Sequence, residues 1–409
     1  MTGENAILRR RLGVFDATVV GLGSMIGAGV FAAFAPAARA AGSGLLLGLA
    51  AAAVVAYCNA MSSARLAALH PASGGTYVYG RERLGPFWGY LAGWSFVVGK
   101  TASCGAMALT IGAYAWPEQQ RAVGVAAVVA LTAVNYAGVQ KAAWLTRGIV
   151  AVVLAVLAAF VVAASTGGDA DAARLDIGAD ATAGGVLQAA GLLFFAFAGY
   201  ARIATLGEEV KDPARTIPRA IPLALGITLA VYAAVAVALL AVLGPQGLAR
   251  SAAPLADAAG GLAPLMRVGA AVAATGSLLA LILGVSRTTL AMARDGHLPR
   301  TLAAVHPRSG VPHHAELAVG AVVAVLAATA DLRGAIGFSS FGVLAYYAVA
   351  NVSAWTLGPG ARRAVPALGL IGCLALAFAL PWTSVAAGAA VLATGAALYV
   401  ARARHTRPA

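Results

Sequence analysis

GLGSMIGAGVF, residues 21–31, holds four glycines in eleven positions. It lies inside an apolar run, residues 14–41, that is long enough to cross a bilayer. Glycine disfavours a helix interior by about 1 kcal/mol relative to alanine. A spanning helix with glycines concentrated at its centre is therefore predicted to unwind there. Unwinding frees backbone N–H and C=O groups in hydrocarbon, where each unpaired group costs several kcal/mol. Those groups need a polar ligand or water. The amides near Gly27, Ala28 and Gly29 open the second half-helix and suit an anion. The carbonyls that end the first half suit a cation. An amino-acid zwitterion offers both charges, and the small side chains let it reach the backbone. A second reading stays open at this point, because small residues also let membrane helices pack closely.

The rest of the chain supports a membrane setting. Of 409 residues, 61% are hydrophobic and 11% charged, too much apolar surface for a water-soluble core. Apolar runs of helical length recur throughout, without the short alternating strands of an outer-membrane barrel. Twelve spans are predicted: 14–41, 44–66, 84–115, 120–139, 142–166, 184–208, 218–244, 264–293, 315–330, 335–357, 364–380 and 383–401. The expected fold is an all-α polytopic membrane protein forming one transmembrane unit over 1–409.

The net charge of +13 is a topology signal. With the N-terminus placed inside, inner loops and tails hold 20 of the 28 Lys and Arg residues, and outer loops hold six. This positive-inside bias puts both termini in the cytoplasm and the protein in the cytoplasmic membrane. It also makes the bilayer the partner of this charge and argues against nucleic acid. The first apolar stretch is too long for a cleaved signal and leads directly into a second span. Cys58, Cys104 and Cys373 all fall in spans, with neither disulfide nor metal spacing. His313 and His314 adjoin in a polar loop and read as solvated side chains; no metal or cofactor is expected.

Span 6 mirrors span 1. Its centre, FAFAGY (residues 195–200), contains Gly199, and the run continues to Glu208 and Glu209. The two interrupted helices are five spans apart. If spans 1–5 (14–166) and 6–10 (184–357) form two repeats, the odd number of spans makes them inverted. Spans 11 and 12 (364–401) are then peripheral. A pair of interrupted helices at matching positions of inverted repeats points to a transporter's binding site.

These residues carry a family resemblance. GSMIGAGVF (23–31), FFAFAGY with EEVKDPARTIPRAIP (194–200 and 208–222), SRTTLAMARDGHLPRTLAAVHPRSGVP (286–312) and SGGTYVYGRERLGPFWGYLAGW (73–94) together resemble the amino acid–polyamine–organocation permeases. The resemblance covers at least spans 1–10. It implies a leucine-transporter-type fold, two inverted five-helix repeats plus two peripheral helices. It implies secondary transport of amino acids or amines by alternating access, by proton coupling or by exchange. By motif position, the amides of Ile26, Gly27, Ala28 and Gly29 hold the substrate carboxylate. The carbonyls of Phe197 and Ala198, with those near Gly23 and Ser24, hold its amino group, beside Gly199 and Tyr200. Phe195 matches the aromatic that closes over the substrate, or is an ordinary packed ring. Two positions depart from the pattern. The carboxylate that many members with cationic substrates carry after the Gly-aromatic pair is replaced by Ala201, followed by Arg202. The span-5 lysine of some proton-coupled members corresponds to about Val153.

Two charges, Lys100 and Arg202, lie well inside predicted spans, and an intramembrane charge is a functional candidate by default. Lys100, mid-span 3, is expected either to replace the missing lysine as the proton-responsive group or to be satisfied by freed carbonyls. Desolvation disfavours its charged form. Arg202 does not readily deprotonate and is expected to pair with an inner-side acid such as Asp16, as a gate or structural contact. Ser277 in span 8 is a candidate ion-site or packing hydroxyl. With positive central charges and no midplane carboxylate, neutral amino acids rank above basic ones and polyamines. The leading expectation is a proton-coupled amino acid permease. An exchanger for basic amino acids or polyamines, or a transporter-like sensor, are the alternatives. An enzyme is not expected, because no nucleophile–base set or metal ligand set lies at membrane depth.

Overall fold

The computed structural model of the chain describes residues 12–70, 74–138, 143–204, 209–307 and 309–405. Glu208 and the basic residues Arg9, Arg10, Arg11, Lys141, Arg308 and Arg407 lie outside these described residues. Among the described residues the regular structure is helical apart from one isolated bridge between Leu12 and Val210. In order, the helices are α1 (Val14–Met25), α2 (Ala28–Ala32), α3 (Phe34–Ala41), α4 (Leu45–Leu69), α5 (Thr76–Leu84) and α6 (Pro86–Ala115). Next come α7 (Gln120–Tyr136), α8 (Ala143–Thr166), α9 (Ala183–Phe197), α10 (Ala201–Ala204), α11 (Pro213–Arg250) and α12 (Pro254–Asp257). The last five are α13 (Ala263–Arg294), α14 (His313–Thr329), α15 (Leu332–Trp355), α16 (Ala364–Ala379) and α17 (Trp382–His405).

Among the described residues, nine helical stretches are long and apolar enough to cross a membrane. The chain is thus a multi-pass membrane protein. The other three predicted spans, 4, 9 and 11, fall on α7, α14 and α16, which have 17, 17 and 16 residues. These are shorter than the roughly 20 residues of a straight crossing. The predicted start of span 3 also moves. Gly85, at φ 105°, separates α5 from α6, and Pro86 opens α6, where its missing N–H is harmless. The predicted inner loop before span 7 is largely helix instead. It begins with Pro213 and takes Pro218 and Pro222 inside α11.

Helix α6 runs through the middle, packed on α13 and α15. Glycine permits this contact: a Cβ on Gly342 would sit 2.9 Å from the Cα of Gly99. The α4–α15–α16 side is tied by a buried amide pair, Asn351 Nδ2 donating to Asn59 Oδ1 at 2.6 Å. At one end of the bundle, Gly42 turns with φ 54°, and Ser43 donates its N–H and hydroxyl to Asp180 at 3.0 and 2.6 Å. Those two bonds hold the Asp180 carboxyl below its ordinary range. At the other end, Leu12 N–H donates to Glu209 O at 3.1 Å and Lys211 N–H to Leu12 O at 2.8 Å. The segments flanking α1 and α10 are thereby joined.

Candidate functional site

The glycine-rich stretch does interrupt its helix. Helix α1 ends at Met25, where the Ile26 N–H still reaches Leu22 O at 2.7 Å. Gly27, at φ −111° and ψ −132°, leaves helical geometry, and α2 starts at Ala28. Span 6 is interrupted at the matching place. Helix α9 ends at Phe197, a 3₁₀ turn covers Ala198–Tyr200, and α10 follows. The first N–H groups and last C=O groups at such ends have no partner within their own helix.

The two breaks touch. A Cβ on Gly199 would lie 2.2 Å from Ser24 O, and one on Gly29 would lie 2.7 Å from Ala196 Cα. A Cβ on Gly27 would lie 2.0 Å from Ser277 Oγ. The glycines therefore serve both readings of the sequence: they release the backbone and they allow close packing. Tyr232, a residue the sequence did not single out, bridges the breaks. Its hydroxyl lies 2.6 Å from Met25 O and 3.0 Å from Ala196 O. Ser277 Oγ donates to Gly23 O at 3.4 Å, so α13 also supports the end of α1.

A cavity of about 370 Å³ begins at this contact. Gly23, Ser24, Ala28 and Gly29 line it from the first break, and Phe195, Ala198, Gly199 and Arg202 from the second. Lys100 and Ser277 complete its polar wall here. Ile26, Gly27, Phe197 and Tyr200 are not on the wall. Gly27 rests on Ser277. Phe197 is fully buried with its ring 5.1 Å from that of Tyr232, and Tyr200 stacks on Tyr347 at 5.0 Å. Phe195, 8% exposed, does face the cavity.

Lys100 is buried, and its Nζ donates to Ala198 O at 3.1 Å. The Tyr347 hydroxyl reaches the same oxygen at 3.4 Å. The span-5 position, Val153, is a buried apolar contact of α8, so Lys100 is the buried lysine beside the breaks. Arg202 lines the cavity with Glu209 and Arg287. The ion pair found for Asp16 is a different one, with Arg147. Asp16 sits in the first turn of α1 and also accepts from Gly13 N–H at 3.4 Å. Arg147, on α8, reaches it across the α1–α8 contact.

The cavity extends past Arg287 and Ala291 of α13 to Gly74 and Tyr77. There the Tyr77 hydroxyl donates to Asp295, and His297 Nδ1 lies 3.0 Å away. Arg81 pairs with Asp295 at 3.1 Å. Burial lowers the His297 imidazole below its ordinary value, opposed by the Asp295 carboxylate. Burial and the neighbouring carboxylate push the Tyr77 phenol up. This cluster joins the turn after α13 to α5 at the cavity's far end. Glu209 and Tyr77 lie in segments read from sequence as loops and Arg287 at the inner end of predicted span 8, which is why their place on a cavity wall was not foreseen. Glu316, in predicted span 9, was also passed over; its position in HHAEL at the start of an apolar run was the available signal. No group of three or more metal-binding side chains occurs among the described residues.

The chain is 76% identical over 410 residues to a protein of Mycobacterium tuberculosis named as an uncharacterized transporter, covering 98% of this chain and 93% of the relative. It is 26% identical to the branched-chain amino acid permease BcaP of Bacillus subtilis, covering 97% and 94% of the two chains. It is 28% identical to human cationic amino acid transporter 4, covering 83% of this chain and 58% of that one. A family model described as amino acid permease matches residues 12–403, and the chain belongs to that family, within the amino acid–polyamine–organocation superfamily.

Proposed function

We propose that this transporter moves neutral amino acids across the cytoplasmic membrane by alternating access, coupled to protons. Amino acid transport rests on the family match. The site's single main support is the contact between two broken helices at the head of one cavity. The amides that open α2 meet the substrate carboxylate, helped by the helix dipole. The carbonyls that end α1 and α9 meet its ammonium. Phe195 covers the side chain. In this reading the helices form two inverted five-helix repeats with two peripheral helices, and the cavity's far end, at Tyr77 and Glu209, faces the cytoplasm, which the positive-inside bias supports.

Lys100 supplies the coupling. In the conformation described, its Nζ donates to the carbonyl of Ala198 and so fixes the second break in the shape that binds substrate. Loss of the Lys100 proton to the cytoplasm weakens that charge-assisted bond and loosens the break, so that substrate and proton leave together. Neutral substrates are favoured because the charged side chains on the wall among the described residues are Lys100, Arg202, Arg287 and Glu209. This set has an excess of positive charge. A neutral aliphatic substrate also agrees with the resemblance to the branched-chain permease. The resemblance to a cationic amino acid transporter supports the exchanger for basic substrates as the second reading.

The test is uptake by proteoliposomes from a pool of amino acids and amines, with and without an inward proton gradient. Neutral amino acids should accumulate only with the gradient. Preferred uptake of arginine or putrescine would reverse the ranking. Full gradient-driven uptake by Lys100→Gln would remove Lys100 from the coupling.

A further inference from the structure

Glu316 is the least expected charge in the molecule. It lies in the first turn of α14 and is completely buried. Neither carboxyl oxygen has a hydrogen-bond partner among the described residues. An ionised carboxylate left in that state is strongly disfavoured. The surrounding packing is tight. One turn along α14, a Cβ on Gly320 would meet Thr132 Oγ1 at 2.6 Å. This fixes the register of α14 against α7 and places Asn135 beside Glu316.

The groups that act on Glu316 come from each packed element. From α7, the Asn135 amide adjoins the carboxyl; one Nδ2 hydrogen goes to Leu279 O at 3.1 Å, and the second is the donor within reach of Glu316. From α13, Arg287 is the cation that acts on it. From α14 itself, His313 precedes it by one turn, with Nδ1 buried and without a hydrogen-bond partner among the described residues. The 3₁₀ turn Arg300–Ala303 packs against α14 and carries one charged side chain, the exposed Arg300. Helix α6 meets α14 near Gly105 and Leu326 and carries one charged side chain, Lys100. The His313 ring also lies 5.5 Å from that of His306 in the preceding loop. That gives a path from Glu316 to the inner surface.

Arg287 is the link to the cavity. It is exposed on the cavity wall and stands on the helix that packs against α14. We propose that Glu316 is a proton-binding site of the transport cycle, exchanging its proton against the guanidinium of Arg287. A substrate carboxylate entering the cavity draws Arg287 inward. Glu316 then loses its cation and takes up a proton that arrives from the outer side with the substrate. When the substrate leaves to the cytoplasm, Arg287 turns back and the proton leaves to the same side through His313. Substrate and proton binding are then linked, each favouring the other. The inference rests on the proton-coupled reading and adds a carboxylate to it, apart from Lys100.

Infrared pH-difference spectroscopy on the full-length protein in nanodiscs tests this directly. The spectrum should contain a carboxylic-acid C=O band that disappears on alkalinisation and is missing from Glu316→Gln. In Arg287→Gln the band should persist to higher pH. If Glu316→Gln folds poorly, ¹³C-glutamate labelling of the unaltered protein separates the six glutamates from the aspartates. The inference is overturned if no glutamate band titrates, or if Arg287→Gln leaves it unmoved. In proteoliposomes fed the amino acid pool, Glu316→Gln should lose all stimulation by the proton gradient. Stimulation equal to that of the unaltered protein would also overturn it. An unaltered protein that accumulates nothing would instead defeat the transport reading, and the infrared bands would still decide the protonation of Glu316.

Discussion

Replacing Gly199 by alanine adds one methyl group at the contact between the two broken helices. That methyl carbon would lie 2.2 Å from Ser24 O, 2.4 Å from Ser24 C and 2.7 Å from Met25 N. All three are backbone atoms, so no side chain can rotate away. Ordinary contact begins at 3.4 Å, and the two breaks must separate by about 1.2 Å to restore it, the gap between the two distances. Overpacking of this kind destabilises by about 1–3 kcal/mol, and the rigidity of the partners favours the upper part of that range. The shift also pulls Ala198 O away from the amides that open α2, so binding should suffer beyond the loss of stability. Gly226→Ala is the control. It lies in α11, where an added Cβ meets nothing within 4 Å, and should be neutral or stabilising by up to about 1 kcal/mol. The assay is thermal unfolding in detergent together with proteoliposome uptake. Gly199→Ala should melt well below the unaltered protein and lose most uptake, and Gly226→Ala should do neither. Equal melting and uptake for Gly199→Ala would refute the contact between the breaks.

Other expectations follow from single contacts. Tyr232→Phe removes the hydroxyl near Met25 O and Ala196 O and should destabilise by about 1–3 kcal/mol, read by thermal unfolding; an unchanged melting temperature would contradict the bridge. Lys100→Gln should abolish the dependence of uptake on the proton gradient, which a pH titration of uptake reads. His297 binds its proton less readily when folded than its ordinary value of 6.5 allows. The open form of its turn therefore binds more protons, so stability is full above about pH 6.5 and falls as the pH drops toward the folded value. Hydrogen exchange of α5 should accelerate over that window and stay flat in His297→Gln. Asp180 is also lowered, by its hydrogen bonds to Ser43 rather than by burial. Its bonds to Ser43 are present above the ordinary carboxylate range and are lost as the pH falls through its lowered value. Asp180→Asn should loosen that loop at neutral pH, seen as faster hydrogen exchange near Ser43.

The breaks were legible because glycine spacing is a local signal. GLGSMIGAGVF and FAFAGY each carry their own conformational preference, and both helices break where those residues lie. Helix existence was legible for the same reason, from continuous apolar runs. Partners were less so. Arg147 lies 131 residues from Asp16 in the chain, and only the α1–α8 contact makes it nearer than Arg202. Tyr232 sits in an apolar run where nothing marks its hydroxyl as the bridge between breaks. Lys100 was legible as a buried charge, but its acceptor, Ala198 O, depends on how α6 packs against α9. Glu316 and Arg287 straddle the boundary between helix and loop. The alternation of apolar and polar residues is weakest there, and a charge reads as solvated.

The most direct test of the account is pooled uptake by proteoliposomes under an inward proton gradient. The pool contains neutral amino acids, their amides and their N-acetyl derivatives, read by mass spectrometry. The two breaks are argued to hold a free carboxylate and a free ammonium together. Free neutral amino acids should therefore accumulate, and the blocked forms should stay outside. Equal accumulation of an amide or an N-acetyl derivative would contradict the two-break site, and no accumulation of any compound would contradict transport itself.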